Sequence, residues 1–180
     1  MTLFDIAVHT ARVHRLVRDD GELHEIEMTR DYDYPIENVW SAWTTPERLR
    51  RWLGDPRGDL RVGGSVDLAM EPDITRLVIQ RCEAPTDLSV TWDDSDEAAS
   101  EVHLRLEPLG PNRTRLILRH RRIGLDLVPV YGPGWEEFLY VLDVFLGGGS
   151  KDSIPWDRHG VVEALAEDWQ RAVDAGPEAG

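Results

Sequence analysis

Five segments between residues 66 and 121 place an apolar residue at roughly every second position: "VDLAM", "ITRLVIQRC", "DLSVTW", "EVHLRLE" and "TRLILRHR". A period of two sends successive side chains to opposite faces, so each segment reads as a strand with one apolar face. The phase is mixed only in "ITRLVIQRC". The intervening stretches, "DDSDEAAS" and "PLGPN" among them, are too short for the crossovers that parallel strands require. The pattern predicts an antiparallel meander over 66–70, 74–82, 87–92, 101–107 and 114–121, and it argues against a doubly wound sheet.

After "PVYGPG" the period changes. Trp135, Phe138, Leu139, Leu142 and Phe145 recur at helical spacing, and Gly147–Gly149 ends the run. A sheet with one apolar face must be covered, and this helix is the obvious cover. Before the meander, Pro35 suits the start of a short helix carrying Ile36, Val39, Trp40 and Trp43. Thr45 and Pro46 then suit the cap and first position of a second short helix, with Leu49, Trp52 and Leu53 on its apolar side. Residues 10–18 and the segment after "DDG" read as a hairpin, with His24, Ile26, Met28, Arg30 and Tyr32 on one face. A terminal helix is expected over 157–174. Its apolar side is Val161, Val162, Leu165, Trp169 and Val173, and it should pack on the same domain through Val162, Leu165 and Trp169. With 180 residues and no linker, one domain is expected over 1–180.

The charge limits the partners. Twenty basic and 34 acidic residues give a net charge of -14, whose field opposes a polyanion. The basic run "RHRR" at 119–122 lies in a strand, where alternation divides it between two faces. Nucleic-acid binding is therefore not expected. Cys82 is the single cysteine, which excludes an intramolecular disulfide and a cysteine-rich metal cluster. The N-terminal residues lack the basic start and apolar core of a secretory signal, and no apolar run reaches membrane-spanning length. A cytoplasmic setting without membrane insertion is the simple expectation. The histidines form no zinc motif, the acids of "DDSDEAAS" lack calcium-loop spacing, and no phosphate-binding glycine motif or nucleophilic triad is present. No metal and no cofactor are expected. Monomer and homodimer remain open.

The pieces "TRDYDYPIENVWSAWTTPERLRRWL", "DLRVGGSVDLAM", "LSVTW", "TRLILRH" and "YGPGWEEFLYVLDVFLGG" together resemble the START-like (SRPBCC) superfamily. The narrower resemblance is to the branch of homologues of the activator of the heat shock protein 90 ATPase. It covers about residues 23–149, in the family's order. It implies an α+β helix-grip fold: a curved antiparallel sheet wrapped around a long C-terminal helix, with two short helices after an early strand. The expected terminal helix would be an addition to that core. The resemblance also implies a cavity that, in relatives, receives apolar or amphipathic small molecules. Chaperone activation is not carried over, because this chain has only a short N-terminal extension where eukaryotic activators have a chaperone-binding domain.

A curved sheet gripping a helix can leave space between them, lined in part by the tryptophans of the two early helices. The candidate ligand-binding residues are Arg30, Trp92, Leu104, Leu118, His120, Trp135 and Phe138, with Trp52 and Tyr131 at the entrance. His120 can be a hydrogen-bonded structural residue, a ligand-orienting group or an acid–base group. Arg30 can pair with an acid or meet an anionic head group. Each tryptophan can pack or offer a ring face and one N–H to a ligand. No catalytic residue is assigned. The leading expectation is binding of a small apolar or amphipathic molecule. The alternatives are a polyketide cyclase or dehydratase-like enzyme, with His120 and Arg30 as first candidates, and a stress-response or chaperone-interacting protein.

Overall fold

The structure is a computed structural model that describes residues 12–20, 22–70, 72–92, 99–154 and 158–176. Eight antiparallel strands form one sheet: β1 (His14–Asp20), β2 (Leu23–Tyr32), β3 (Asp55–Gly58), β4 (Ser65–Met70), β5 (Asp73–Glu83), β6 (Asp87–Trp92), β7 (Ser100–Gly110) and β8 (Arg113–Ile123). Their spatial order is β1-β2-β8-β7-β6-β5-β4-β3. Strands β3 to β8 are thus a meander, and β2 returns to pair with its last member. In β2, β7 and β8 the even-numbered positions carry the inner face: Ile26, Met28, Tyr32, Val102, Leu104, Leu106, Leu116 and Leu118 are all buried.

That face is covered by α3 (Val128–Leu146), entered through a 3-10 turn at Leu125–Leu127. The short helices α1 (Ile36–Thr44) and α2 (Pro46–Leu49) connect β2 to β3. Thr45 is the N-cap of α2 through its carbonyl, which accepts from the N–H of Arg48 and Leu49, but its side chain makes no capping bond. Trp52 and Leu53 lie in the turn beyond α2, rather than on its side. The arrangement is the expected α+β helix grip.

Two differences from the sequence expectation have clear physical causes. Strand β3, "DPRG", has neither alternation nor strand-forming residues, and it exists because β4 offers a free edge to pair with. Helix α3 begins at Val128, so "GPG" lies inside it. Pro133 costs one backbone hydrogen bond, and Gly132 is kept small by its neighbour: a Cβ there would stand 2.4 Å from the Trp169 ring. At the other end of α3, Gly148 has φ +84°, and the N–H groups of Gly148 and Gly149 reach back to the carbonyls of Phe145 and Val144. That pattern closes the helix as a left-handed glycine cap.

Helix α4 (Arg158–Asp174) packs on α3. Leu165 and Trp169 are buried as expected, whereas the Val161 and Val162 side chains lie outside the described residues. Trp169 donates its indole N–H to Glu136 at 2.9 Å. The same buried carboxylate receives Arg15 from β1, with Nη2 at 2.8 Å from Oε2. One glutamate of α3 thereby holds both the first described strand and the last helix. The early part of the predicted strand, residues 10–11, lies outside the described residues, and β1 continues through the "DD" expected as a turn.

Candidate functional site

Two regions of the helix–sheet space differ in chemistry. Over β2, β8 and β7 the space is filled, and His120 and Arg30 each have a side-chain partner within it. His120 is fully buried on β8. The indole N–H of Trp135 points at its Nδ1 at 3.1 Å, and indole can only donate, so Nδ1 is the accepting nitrogen. Nε2 therefore carries the proton and donates to Ser100 Oγ at 2.7 Å. The Ser100 hydroxyl in turn donates to the carbonyl of Trp92 at 2.9 Å. Tyr131 packs on the imidazole, with ring centroids 4.4 Å apart. Burial pushes the His120 pKa down to about 3. The group is neutral, and its basic nitrogen is occupied.

Arg30 is similarly committed. Its guanidinium donates to Asp143 of α3 at 2.7 Å and lies 5.0 Å from the centroid of the Tyr32 ring. The Tyr32 hydroxyl donates to the Leu139 carbonyl at 3.0 Å, and burial raises its pKa. These contacts fasten α3 to β2 along its length.

Over β4, β5 and β6 the space is not filled. An apolar cavity of about 120 Å³ lies between these strands, the α1–α2 segment and the start of α3. Trp43, Leu68, Leu77, Val90, Trp92 and Trp135 contribute to its wall. The lining extends to Leu60 and Cys82, which are exposed, so the cavity opens to the surface there. Cys82 reaches this face because β5 is irregular at Gln80, where Ile79 pairs with Val90 but Arg81 pairs with Ser89. One extra residue reverses the alternation, and Cys82 comes to lie opposite Leu88. Among the described residues of the wall, Cys82 is the only titratable group.

A second, larger cleft of about 470 Å³ lies outside the grip, between the α2–β3 segment and α3. Arg50, Asp55, Arg57 and Lys151 share it with Trp52 and Phe138. It is a charged trench rather than an apolar chamber.

The sheet and the gripped helix agree with what comparison with known proteins gives. A family model described as Activator of Hsp90 ATPase homolog 1-like protein matches residues 33–147, more than half of the chain. The chain belongs to that family. The crystal structure of CalU16 from Micromonospora echinospora is similar at 33% identity with a TM-score of 0.77, covering 89% of this chain and 98% of that one. A conserved protein of unknown function from Enterococcus faecalis, EF2215, has a TM-score of 0.69 at 16% identity, covering 94% and 96%. PFC0360w from Plasmodium falciparum, an HSP90 activator, has a TM-score of 0.61 at 24% identity, covering 68% and 96%. The last two likenesses concern the fold alone. No curated protein matches the chain.

In this member of the Activator of Hsp90 ATPase homolog 1-like family, the sequence-predicted site residues fall into three groups. Trp92, Leu104 and Trp135 line the apolar cavity. Trp52 and Phe138 line the charged cleft instead. Arg30, Leu118, His120 and Tyr131 line neither and belong to the filled region. Trp43, one of the early-helix tryptophans expected to line the space, is in the cavity wall, whereas Cys82 was not predicted. The helical stripe through Trp40 and Trp43 carried the signal for Trp43. For Cys82 there was none, because the β5 irregularity is invisible in the apolar pattern.

Alternation along β8 places Arg113, Arg115, Arg119 and Arg121 on the outer face of the sheet and turns His120 to the other. Each meets a carboxylate: Asp31 for the first two, Glu25 and Glu27 for Arg119, Glu25 for Arg121. Arg115 holds the Asp31 carboxyl below its usual range, chiefly through a side-chain hydrogen bond. Among the described residues there is no group of three or more potential ligands that could hold a metal ion, and no helix is long and apolar enough to cross a membrane.

Proposed function

We propose that this chain binds small apolar or amphipathic molecules in the cavity between β4–β6 and the helices. The observation that carries this reading is the near-wholly apolar wall around a space that opens at Leu60 and Cys82. A closed core would be filled, since protein interiors pack almost as densely as organic crystals. At about 120 Å³ the space is close to the roughly 150 Å³ that accommodates a benzene ring. It suits one ring or a short branched chain, and anything longer leaves through the mouth. An amphipathic ligand fits that geometry, with its apolar end inside and its polar end in water. Apolar burial at about 25 cal/mol per Å² supplies the affinity.

Proton-transfer catalysis by His120 and Arg30 draws no support from the same geometry. His120 Nδ1 accepts from Trp135, Arg30 donates to Asp143, and neither lines the cavity. A protein-partner role through α4 is likewise unsupported, because Trp169 is covered within the chain.

The test is a titration with indane, followed by tryptophan fluorescence, on the parent chain and on Leu88→Trp. Leu88 is a half-buried wall residue, so the larger ring fills the cavity without entering the deepest packing. Saturable binding that Leu88→Trp abolishes, with the melting temperature preserved, is the expected result. Binding that fails to saturate, or that Leu88→Trp leaves unchanged, overturns the reading.

A further inference from the structure

The cleft between the α2–β3 segment and α3 has two features that the apolar cavity lacks: exposed cations and room for a two-ring molecule. Its volume of about 470 Å³ falls within the roughly 300–1,000 Å³ typical of small-molecule sites. Ala69, Met70 and Phe138 are half-buried at its wall, so they offer apolar surface that a ligand can reach. Arg50, Arg57 and Lys151 share the wall and are exposed. Apolar surface and positive charge therefore adjoin in one concave place.

The chain as a whole carries a net charge of -14, so a local surplus of cations is informative. Those three cations face two carboxylates of the same wall, Asp55 and Glu137, and both are engaged. Asp55 stands 3.1 Å from Arg57 and 4.0 Å from Arg50, and Glu137 is buried with a partner of its own. Lys151 has no carboxylate within 4.0 Å among the described residues. Arg57 meets Asp55 through Nε, which leaves its terminal N–H groups for a ligand. The adjoining segment adds to the field, since Arg48 and Arg51 both lie against the Phe145 ring, 5.3 and 5.1 Å from its centroid. We infer that this cleft is a second binding site, for a small organic acid whose ring or chain lies on Met70 and Phe138 and whose carboxylate meets Lys151 and Arg57. The site is separate from the apolar cavity, and the inference does not rest on the binding proposed there. One exposed cation contributes little in water. A carboxylate among three is attracted by all of them, and covering its ring lowers the local dielectric. Arginine can hold both carboxylate oxygens, and lysine adds a point charge. A cationic ligand meets like charge instead, and a neutral one has only the apolar surface.

Three probes of one shape separate these terms: 2-naphthoate is an anion, 2-naphthylmethanol is neutral and 2-naphthylmethylammonium is a cation. Nuclear magnetic resonance titration of the full, uniformly 15N-labelled chain gives both the affinity and the place of binding. The expected result is saturable binding of 2-naphthoate, with shifts centred on Ala69, Met70 and Phe138. It should bind about 2- to 10-fold more tightly than the alcohol, the range set by one or two partly exposed ion pairs, and the ammonium should bind most weakly. Lys151→Gln should weaken 2-naphthoate by about 2- to 5-fold and leave the alcohol unchanged. Arg61→Gln removes the same charge from an exposed arginine outside the cleft and should leave the acid's affinity unchanged. Leu88→Trp, which fills the apolar cavity, should also leave it unchanged.

Equal or reversed affinities for the acid and the alcohol overturn the inference, as does binding of 2-naphthoate that fails to saturate. Equal weakening by Lys151→Gln and Arg61→Gln also overturns it, because the acid would then be reading the overall field and not this cleft. Loss of 2-naphthoate binding in Leu88→Trp, with shifts on β5 and β6, assigns the acid to the apolar cavity and overturns the second site. The indane titration is unaffected by any of these outcomes, so the two sites stand or fall separately.

Discussion

The two halves of the sheet are built from the same kinds of residue and end in opposite states. Over β1, β2, β8 and β7, aromatic and charged side chains are closed into pairs: Trp169 with Glu136, Arg15 with Glu136, Arg30 with Asp143, Trp135 with His120. Over β4, β5 and β6, aromatic side chains surround a space and two of them keep a free N–H. The difference shows what a tryptophan means in this fold. Its presence says little: Trp135 lines the chamber with its nitrogen paired to His120, whereas Trp43 and Trp92 line it with theirs unpaired.

That contrast can be broken most forcefully at Trp169. Trp169→Ala removes a fully buried ring packed on Gly132 and should cost about 3–5 kcal/mol in chemical denaturation. If the cost is under about 1 kcal/mol, α4 is not part of the framework. A paired comparison comes next. Leu118→Ala in the filled half should cost about 4 kcal/mol, and Leu77→Ala at the cavity wall about 2 kcal/mol, because a side chain already facing a void has fewer contacts to lose. Equal losses would mean that the two halves are packed alike.

Acid sensitivity is the third test. The folded pKa of His120 is depressed to about 3 from 6.5, so between these values the unfolded chain binds the extra proton. The stability it contributes is fully present above pH 6.5 and is lost as pH falls towards 3. The slope approaches ~1.4 kcal/mol per pH unit, or about 2 kcal/mol at pH 5. His120→Gln should flatten that part of the pH profile; an unchanged profile assigns the titration elsewhere. The smallest effect belongs to Cys82→Ser. An exposed residue at the cavity mouth should change stability by less than about 0.5 kcal/mol, and a larger loss would place the thiol in the core.

Most of the sheet was legible because alternation survives wherever one face is buried and the other is wet. Strands β6 and β8 show this through Val90 and Trp92 and through Leu116, Leu118 and His120. The early helices were legible from their prolines and apolar spacing. Strand β3 was not, since "DPRG" is held by its neighbour rather than by its own residues. The start of α3 was hidden because glycine and proline ordinarily break helices, whereas Gly132 serves the approach of Trp169. The site was only partly legible. Trp92, Leu104 and Trp135 could be gathered by strand and helix parity, but parity cannot foresee the irregularity that turns Cys82 inward, nor tell which side of α3 receives Phe138. Unpaired nitrogens are a property of three-dimensional packing and leave no trace in a residue pattern.

Glu136 has a consequence for how the chain is made. Its carboxylate joins a strand near one end of the sequence to a helix near the other, and the family match stops at residue 147, before that helix begins. During synthesis, β1, the sheet and α3 leave the ribosome with the Gly132 face uncovered and a buried acid awaiting its second donor. Domains tend to fold as their segments emerge, yet this one cannot seal until Trp169 has appeared. Until then the nascent chain carries an apolar groove on α3, the interval in which a chaperone would have most to hold.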